Sequence, residues 1–364
     1  MERVLLNKIS WLKKKKPDWK IKIVTSDQEN RQPFYSLPEG VDMVDLQINY
    51  SRGNSLVAIA KIIDFFCRRA IHKKRLAKLL NNEDADIVVT LYPSESSFIP
   101  KLKDKSKKIL EFHYSKNFRL QYSRKWLMGL ADRWRTNSDE RLVRRFDRFV
   151  VLTHEDAESW GNADNMRVIP NAAMKLSTDS SDCSAHRVIA VGRLDYQKGF
   201  DRLIEAWHII KASGRFPDWR LDIFGQGEWQ DMLNKLISDY NLVDSVQINA
   251  PTNNIASEYV NSSLLVMSSN YEGFPMVMIE AMSLGLPVVS FDFKCGPRDI
   301  IQDGVNGKIV RNGDVSALAI TMMELMKNDN LRIQMGKEAA KVTQTYAEDH
   351  VMKTWIDLFE EVVK

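Results

Sequence analysis

Cysteine is scarce in this 364-residue chain, and the three present do not pair. Cys67, Cys183 and Cys295 lie far apart and form no C-x-x-C. That excludes a disulfide framework and a zinc-finger site, and it fits a reducing, cytoplasmic compartment. No run of about 18 apolar residues occurs, so no transmembrane helix is expected. The first residues do not follow the secretory-signal pattern, and no such signal is expected either. Tandem repeats, low-complexity tracts and heptads are missing. The glycine-rich turn of a dinucleotide site is missing too, because Gly225-Gln226-Gly227 has no third glycine at the needed spacing. The one D-x-D, Asp84-Ala85-Asp86, reads as a polar lead into a strand, so neither a metal nor a cofactor is expected.

What is present is enough apolar sequence for two cores, 44% of the residues. Charge is divided unevenly: residues 1–170 carry 33 Lys/Arg against 22 Asp/Glu, and the remainder 19 against 26. A basic first half implies an anionic partner. Nucleic acid is disfavoured because the cations are not interleaved with an aromatic reading platform. An anionic membrane face is the better match, set against the plain alternative of solvated helix faces.

The most informative stretch runs from Ser268 to Ser290. It follows the apolar run Leu264 to Met267 and reads as loop, helix and strand, with Pro275 at the first helical position and Gly285 as the left-handed stop. In a parallel sheet such a helix starts at the ligand crevice and points its N–H groups into it, which suits a phosphate. Glu272 and Glu280 flank that start, and carboxylates beside an anion make sense when they bind hydroxyls. Two Glu at this spacing are by themselves common on solvated helices. The second informative stretch is Gly192-Arg193-Leu194-Asp195-Tyr196-Gln197-Lys198-Gly199, between the strand Val188 to Val191 and a helix from Phe200 to Ser213. Gly192 permits close backbone approach, Arg193 offers a planar fork and Lys198 a point charge, so two cations on one loop can neutralise a diphosphate without metal.

These two stretches resemble the E-x7-E and G-R-L-x-x-x-K-G signatures of family-4 retaining glycosyltransferases. Gly296-Pro297-Arg298-Asp299-Ile300-Ile301 and Asp303-Gly304-Val305-Asn306-Gly307 are similar to two further family motifs, with Asp299 where the family has Glu. The resemblance is strong from Arg187 to Val310 and loose before it. It implies the GT-B fold: α/β, two Rossmann-like domains with parallel sheets facing a cleft. The expected division is 1–167 on the acceptor side, 168–347 for the nucleotide sugar, and 348–364 as a helix crossing back.

It further implies transfer, with retention, from a nucleotide diphosphate sugar to a hydroxyl of a glycan or lipid-linked acceptor, at the inner face of the membrane. Arg193, Lys198 and the N–H groups of Gly273, Phe274, Met276 and Val277 around Pro275 would face the diphosphate. Glu280 would hold the ribose, Glu272 the sugar, and the loop with Thr252 the base. His113, just past the strand Lys107 to Phe112, would more often be a structural histidine, but the resemblance puts a His here beside the transferred sugar. Two alternatives stay open: a nucleotide-sugar-binding protein without turnover, and a nucleotide-sugar epimerase of the same fold.

Along the first half, helix is expected from Met1 to Leu12, strands at Lys20 to Thr25, Val41 to Leu46, Asp86 to Leu91 and Phe149 to Thr153, and a basic helix from Leu56 to Leu80. In that helix Ile62, Phe65, Phe66 and Ile71 should face the core and Arg68, Arg69, Lys73, Lys74 and Arg75 the solvent. Arg119 to Arg148 reads as another helix, and Phe149 to Thr153 as the last strand of the first sheet. In the resembling family a strand and a Gly-Gly loop precede a stretch like Glu2 to Leu6. Met1 is therefore expected to be an internal methionine of a product longer by about fifteen residues, and two neighbouring strands should be left unpaired.

Overall fold

A computed structural model describes residues 2–364 apart from 30, 34, 56, 92, 121–125 and 175; of residues 54, 55, 58, 59, 93, 94 and 126–128 it describes the backbone alone. The expectations for Met1, for the start of the basic helix at Leu56 and for residues 121–125 of the following helix lie outside the described residues.

The first lobe contains α1 (Glu2–Lys15), β1 (Ile21–Thr25), β2 (Val41–Asp45), α2 (Ala58–Glu83), β3 (Ile87–Thr90), α3 (Pro93–Ser96), β4 (Lys107–Glu111), α4 (Trp126–Val143), β5 (Arg148–Val151), α5 (His154–Trp160) and β6 (Met166–Val168). All its ladders are parallel, but they form two sheets, β1-β2 and β3-β4-β5-β6. No ladder joins β1 to β3 among the described residues, and Val24 and Val89 on those strands are exposed. Phe149 to Thr153 does not close the sheet. The three residues of β6 pair outside β5, a strand too short to show a period of two.

Helix α2 is also turned differently from its pattern. Ile62 and Ile63 are 58% and 59% exposed, and Phe65, Phe66 and Ile71 face solvent as well. The buried side is His72, Leu76 and Leu80. Arg68 is half-buried and donates to the Ile48 carbonyl, while Arg75 stays exposed, as its pattern suggests, and reaches the Leu46 and Gln47 carbonyls along the surface. The Ile48 carbonyl needs a donor once water is excluded, and a guanidinium on the adjacent helix supplies it.

The second lobe runs β7 (Arg187–Val191), α6 (Phe200–Ala212), β8 (Arg220–Phe224), α7 (Gln230–Asp239), β9 (Val246–Asn249), α8 (Ile255–Val260), β10 (Leu264–Met267), α9 (Met276–Ser283), β11 (Val288–Phe291), α10 (Pro297–Ile300), β12 (Gly307–Val310), α11 (Val315–Lys327), α12 (Asp329–Ala340) and α13 (Val342–Tyr346). Its six strands are parallel in the order β12-β11-β10-β7-β8-β9. Continuous apolar runs such as Leu264 to Met267 are what a strand covered on both faces requires, and all four residues are buried.

Helix α14 (Glu348–Val363) returns to the first lobe. Trp355, Leu358, Phe359 and Val362 pack with Leu12, Ile109, Val150 and Ile169. Trp11 donates to Asp349 (2.7 Å), and Arg148 and Arg167 both reach Glu361. Among the described residues no helix is long and apolar enough to cross a membrane.

Candidate active site

The strand order decides which loops meet. β7 and β10 are neighbours, so the loop 192–199 that leaves β7 and the loop 268–275 that leaves β10 emerge side by side at the carboxyl ends of the strands. They are bonded to each other throughout. The Asn270 N–H donates to the Gln197 carbonyl at 2.7 Å, the Ser268 hydroxyl to the Lys198 carbonyl at 3.0 Å, and the Asn270 amide to the Tyr196 carbonyl. Gly199 makes this approach possible. It holds a left-handed φ of 59°, and a Cβ there would stand 2.5 Å from the Ser268 carbonyl oxygen.

Glu272 is the hub of the junction. Its Oε1 accepts from Lys198 Nζ at 2.6 Å and from the Ser269 hydroxyl at 2.8 Å, and its Oε2 from Gln197 Nε2 at 2.9 Å. Glu272 is buried and Lys198 half-buried, which is tolerable because each is paired and hydrogen-bonded. Arg193 is 71% exposed in its side chain, steadied by Gln197 Oε1 (3.0 Å) and Asp195 Oδ2 (3.2 Å). Its fork is therefore presented to the cleft at little packing cost.

Helix α9 starts one residue later than its pattern suggests. Pro275 is the capping residue rather than the first helical one, and the Met276 and Met278 N–H groups donate to the Phe274 and Pro275 carbonyls. Two of the donors near this helix start are thus engaged within the turn. Gly285 takes the left-handed φ of 79° that ends the segment.

His113 faces this junction from the first lobe. Its carbonyl is pressed against Gly273, where a Cβ would fall 2.0 Å from the oxygen. Its Nε2 lies 3.2 Å from Glu111 Oε1, and Glu111 also receives Lys8 Nζ at 2.6 and 2.7 Å. Burial alone would raise the Glu111 pKa, but the Lys8 charge together with His113 outweighs it and holds the carboxyl down at about 2. Burial pulls Lys8 downward from the ordinary lysine range against the attraction of Glu111, and its ammonium sits 3.6 Å above the Trp355 ring. Neither Glu111 nor Lys8 stands out in the sequence. One is the last residue of the strand K-K-I-L-E, and its partner lies 103 residues away.

A cavity of about 1370 Å³ opens between the lobes, lined by His113, Arg193, Gln197, Glu272, Gly273, Phe274 and Met276 among others. Met276, Asn171 and Val4 also line a second cavity of about 150 Å³, which holds Glu280. Burial raises the Glu280 pKa, and Arg3 at the start of α1 opposes that. Gly192, Lys198, Pro275 and Val277 are not on either wall. Gly192 packs on the Lys198 stem and against Gly225, whose Cβ would stand 1.8 Å from the Gly192 oxygen. Thr252 is on neither wall. It follows the edge strand β9, two strands from β7, and its hydroxyl accepts the Asn254 N–H.

Asp299 joins the lobes. Its carboxylate accepts the N–H of His154 at 2.7 Å and of Glu155 at 3.4 Å, capping α5 from across the cleft. Beside it, Glu155 accepts the Cys295 N–H and pairs with Lys294.

The profile described as glycosyl transferases group 1 matches residues 184–342. The amylovoran biosynthesis glycosyltransferase AmsD of Erwinia amylovora is 36% identical over 222 residues, covering 58% of this chain and 62% of that protein. The exopolysaccharide phosphotransferase SCO2592 of Streptomyces coelicolor is 27% identical over 374 residues, covering 95% of this chain and 38% of that one. The chain thus spans less than two thirds of the length of these relatives. In three dimensions it is similar to sucrose-phosphate synthase from Thermosynechococcus elongatus, with a TM-score of 0.78 at 18% identity over 99% of this chain and 92% of the other. The α/β fold with two parallel lobes is that of GT-B proteins.

Proposed function

With residues 184–342 a glycosyl transferases group 1 domain in a chain of GT-B fold, we propose that the protein is a retaining glycosyltransferase. It moves a sugar from a nucleotide diphosphate sugar to a hydroxyl of a glycan or lipid-linked acceptor during cell-surface polysaccharide synthesis. One observation carries the reading: the Arg193–Lys198 loop and the Glu272–Phe274 loop are bonded together at the end of the second sheet and face His113 across the cleft. The name of the Erwinia relative, a polysaccharide biosynthesis protein, agrees with it.

As the donor bond breaks, the sugar gains oxocarbenium character and the diphosphate gains negative charge. Groups already oriented towards that charge lower the barrier because they need not reorganise. Arg193 supplies a fork for diphosphate oxygens. Lys198 has three donors, of which Glu272 takes one, so the ammonium can serve phosphate and carboxylate together. Glu272 holds sugar hydroxyls and Glu280 those of the ribose, while His113 lies beside the transferred sugar. Two cations on one loop make a metal unnecessary in this scheme. The basic excess of the first half holds the protein at an anionic membrane face, on the cytoplasmic side.

The test is turnover of a panel of nucleotide sugars with extracted cell-surface glycan acceptors, with the anomeric configuration of the product read by NMR. Nucleotide release that requires the acceptor, and a product keeping the donor's configuration, are expected, with and without chelator. Release without any acceptor would instead indicate an epimerase, and inversion or loss of activity in chelator would overturn the corresponding part of the scheme.

A further inference from the structure

The main cavity is larger than a nucleotide sugar needs, since sites for small ligands ordinarily run to roughly 300–1000 Å³, and its first-lobe wall has a distinctive chemistry. Arg69, Lys101, Arg119, Arg135, Arg141 and Arg145 line it. Among the described lining residues the acids are Asp139, which is paired with Arg119, and Glu272, which is paired with Lys198. A low-dielectric cleft walled by one sign of charge concentrates an anion of at least two charges. A neutral glycan gives no reason for such a wall.

The rim of the same cavity is apolar. Phe65 and Phe66 on α2 and Trp134 on α4 line it, and Phe66 and Trp134 are 58% and 68% exposed. The exposed face continues along α2 through Ile63 and Ile62, and on α4 Leu130 is exposed one turn before Trp134. Exposed large apolar residues gathered on two helices beside a cationic cavity mark a binding surface rather than scattered surface hydrophobics. Cations inside and aromatic and aliphatic side chains at the mouth match an amphiphile with an anionic head and an apolar tail.

We propose that this first-lobe wall is the acceptor site for a lipid-linked diphosphate: the diphosphate lies against Arg135, Arg141 and their neighbours, and the isoprenoid or alkyl chain leaves over Phe66 and Trp134 along α2. The proposal rests on the glycosyltransferase reading and specifies its acceptor. A soluble polymer of polyol phosphates would use the cations and leave the apolar rim without a role.

The experiment measures binding to the full chain by calorimetry with saturating UDP present, so that the donor site is filled. The probes are geranylgeranyl diphosphate below its micelle concentration, geranylgeraniol, inorganic diphosphate and a glycerol-phosphate oligomer. Geranylgeranyl diphosphate should bind at least tenfold tighter than each of the others. Arg135→Gln/Arg141→Gln should weaken it at least tenfold, as should Ile62→Ser/Phe66→Ser, and both variants should keep wild-type UDP affinity and melting temperature. Equal binding of the glycerol-phosphate oligomer, or indifference to the apolar variant, overturns the lipid assignment. Loss of the probe on adding UDP would place it in the donor site and overturn the proposal too. Failure of UDP itself to bind would reject the donor reading instead.

Discussion

Replacing Glu111 by alanine should be among the most damaging single changes in the first lobe, although the residue lies behind the cleft wall. Its side chain is 2% exposed and that of Lys8 11%, so removing the carboxylate strands an ammonium inside the protein. Breaking one side of a buried pair costs about 3–5 kcal/mol. The Trp355 ring, 3.6 Å from the ammonium, faces it with or without Glu111 and so leaves this difference unchanged. The loss of about 3–5 kcal/mol lowers the melting temperature of a lobe of this size by roughly 6–20 °C. The double variant Lys8→Met/Glu111→Leu should sit close to wild type, because two well-packed apolar side chains leave no charge to solvate. With Glu111 held at about 2 in the folded chain against 4.5 for an ordinary Glu, its contribution is complete above pH 4.5 and is lost as pH falls towards 2. Acid melts should therefore converge for wild type and Glu111→Ala near pH 2 and diverge above 4.5. A single variant within 1 kcal/mol of wild type at neutral pH, by denaturant titration, would refute the account of this cluster.

Three further outcomes are expected. Arg193→Ala should leave the melting temperature unchanged, since the side chain is 71% exposed, and should weaken UDP binding by about tenfold or more, read by calorimetry. Gly273→Ala places a Cβ 2.0 Å from the His113 carbonyl oxygen, so the lobes must separate there; UDP binding should persist while transfer falls by at least about a hundredfold in a coupled nucleotide-release assay. Asp299→Ala removes the acceptor for two N–H groups at the start of α5 and should cost about 0.5–2 kcal/mol, seen as earlier denaturant unfolding, with Asp299→Asn costing less.

The second lobe was largely legible from its sequence because its central strands β7, β10 and β11 are covered on both faces and read as mostly apolar runs, and its ligand loops carry Gly, Pro and charge at fixed spacing. Arg193, Lys198 and Glu272 stand on those loops, and the structure brings Lys198 and Glu272 into contact. The first lobe was less legible where helices lack a single core face. The apolar residues of α2 suggest burial, yet only Leu76 and Leu80 of its later turns are covered, and the half-buried Arg68 turns to a loop carbonyl.

Sequence alone determined the local elements, because periodicity, glycine stops and apolar runs act within a few residues of one another. It also determined the chemistry on offer, two cations on one loop and two carboxylates on the second loop and the helix that follows it. Only the tertiary structure decided that β7 and β10 are neighbours, that Lys198 is bound to Glu272, and that the loop with Thr252 leaves the edge strand β9. The Lys8–Glu111–His113 cluster and the cationic first-lobe wall with its apolar rim belong to the same class. Each depends on contacts between residues tens to hundreds of positions apart, and such contacts follow from how the elements pack, which no short-range pattern encodes.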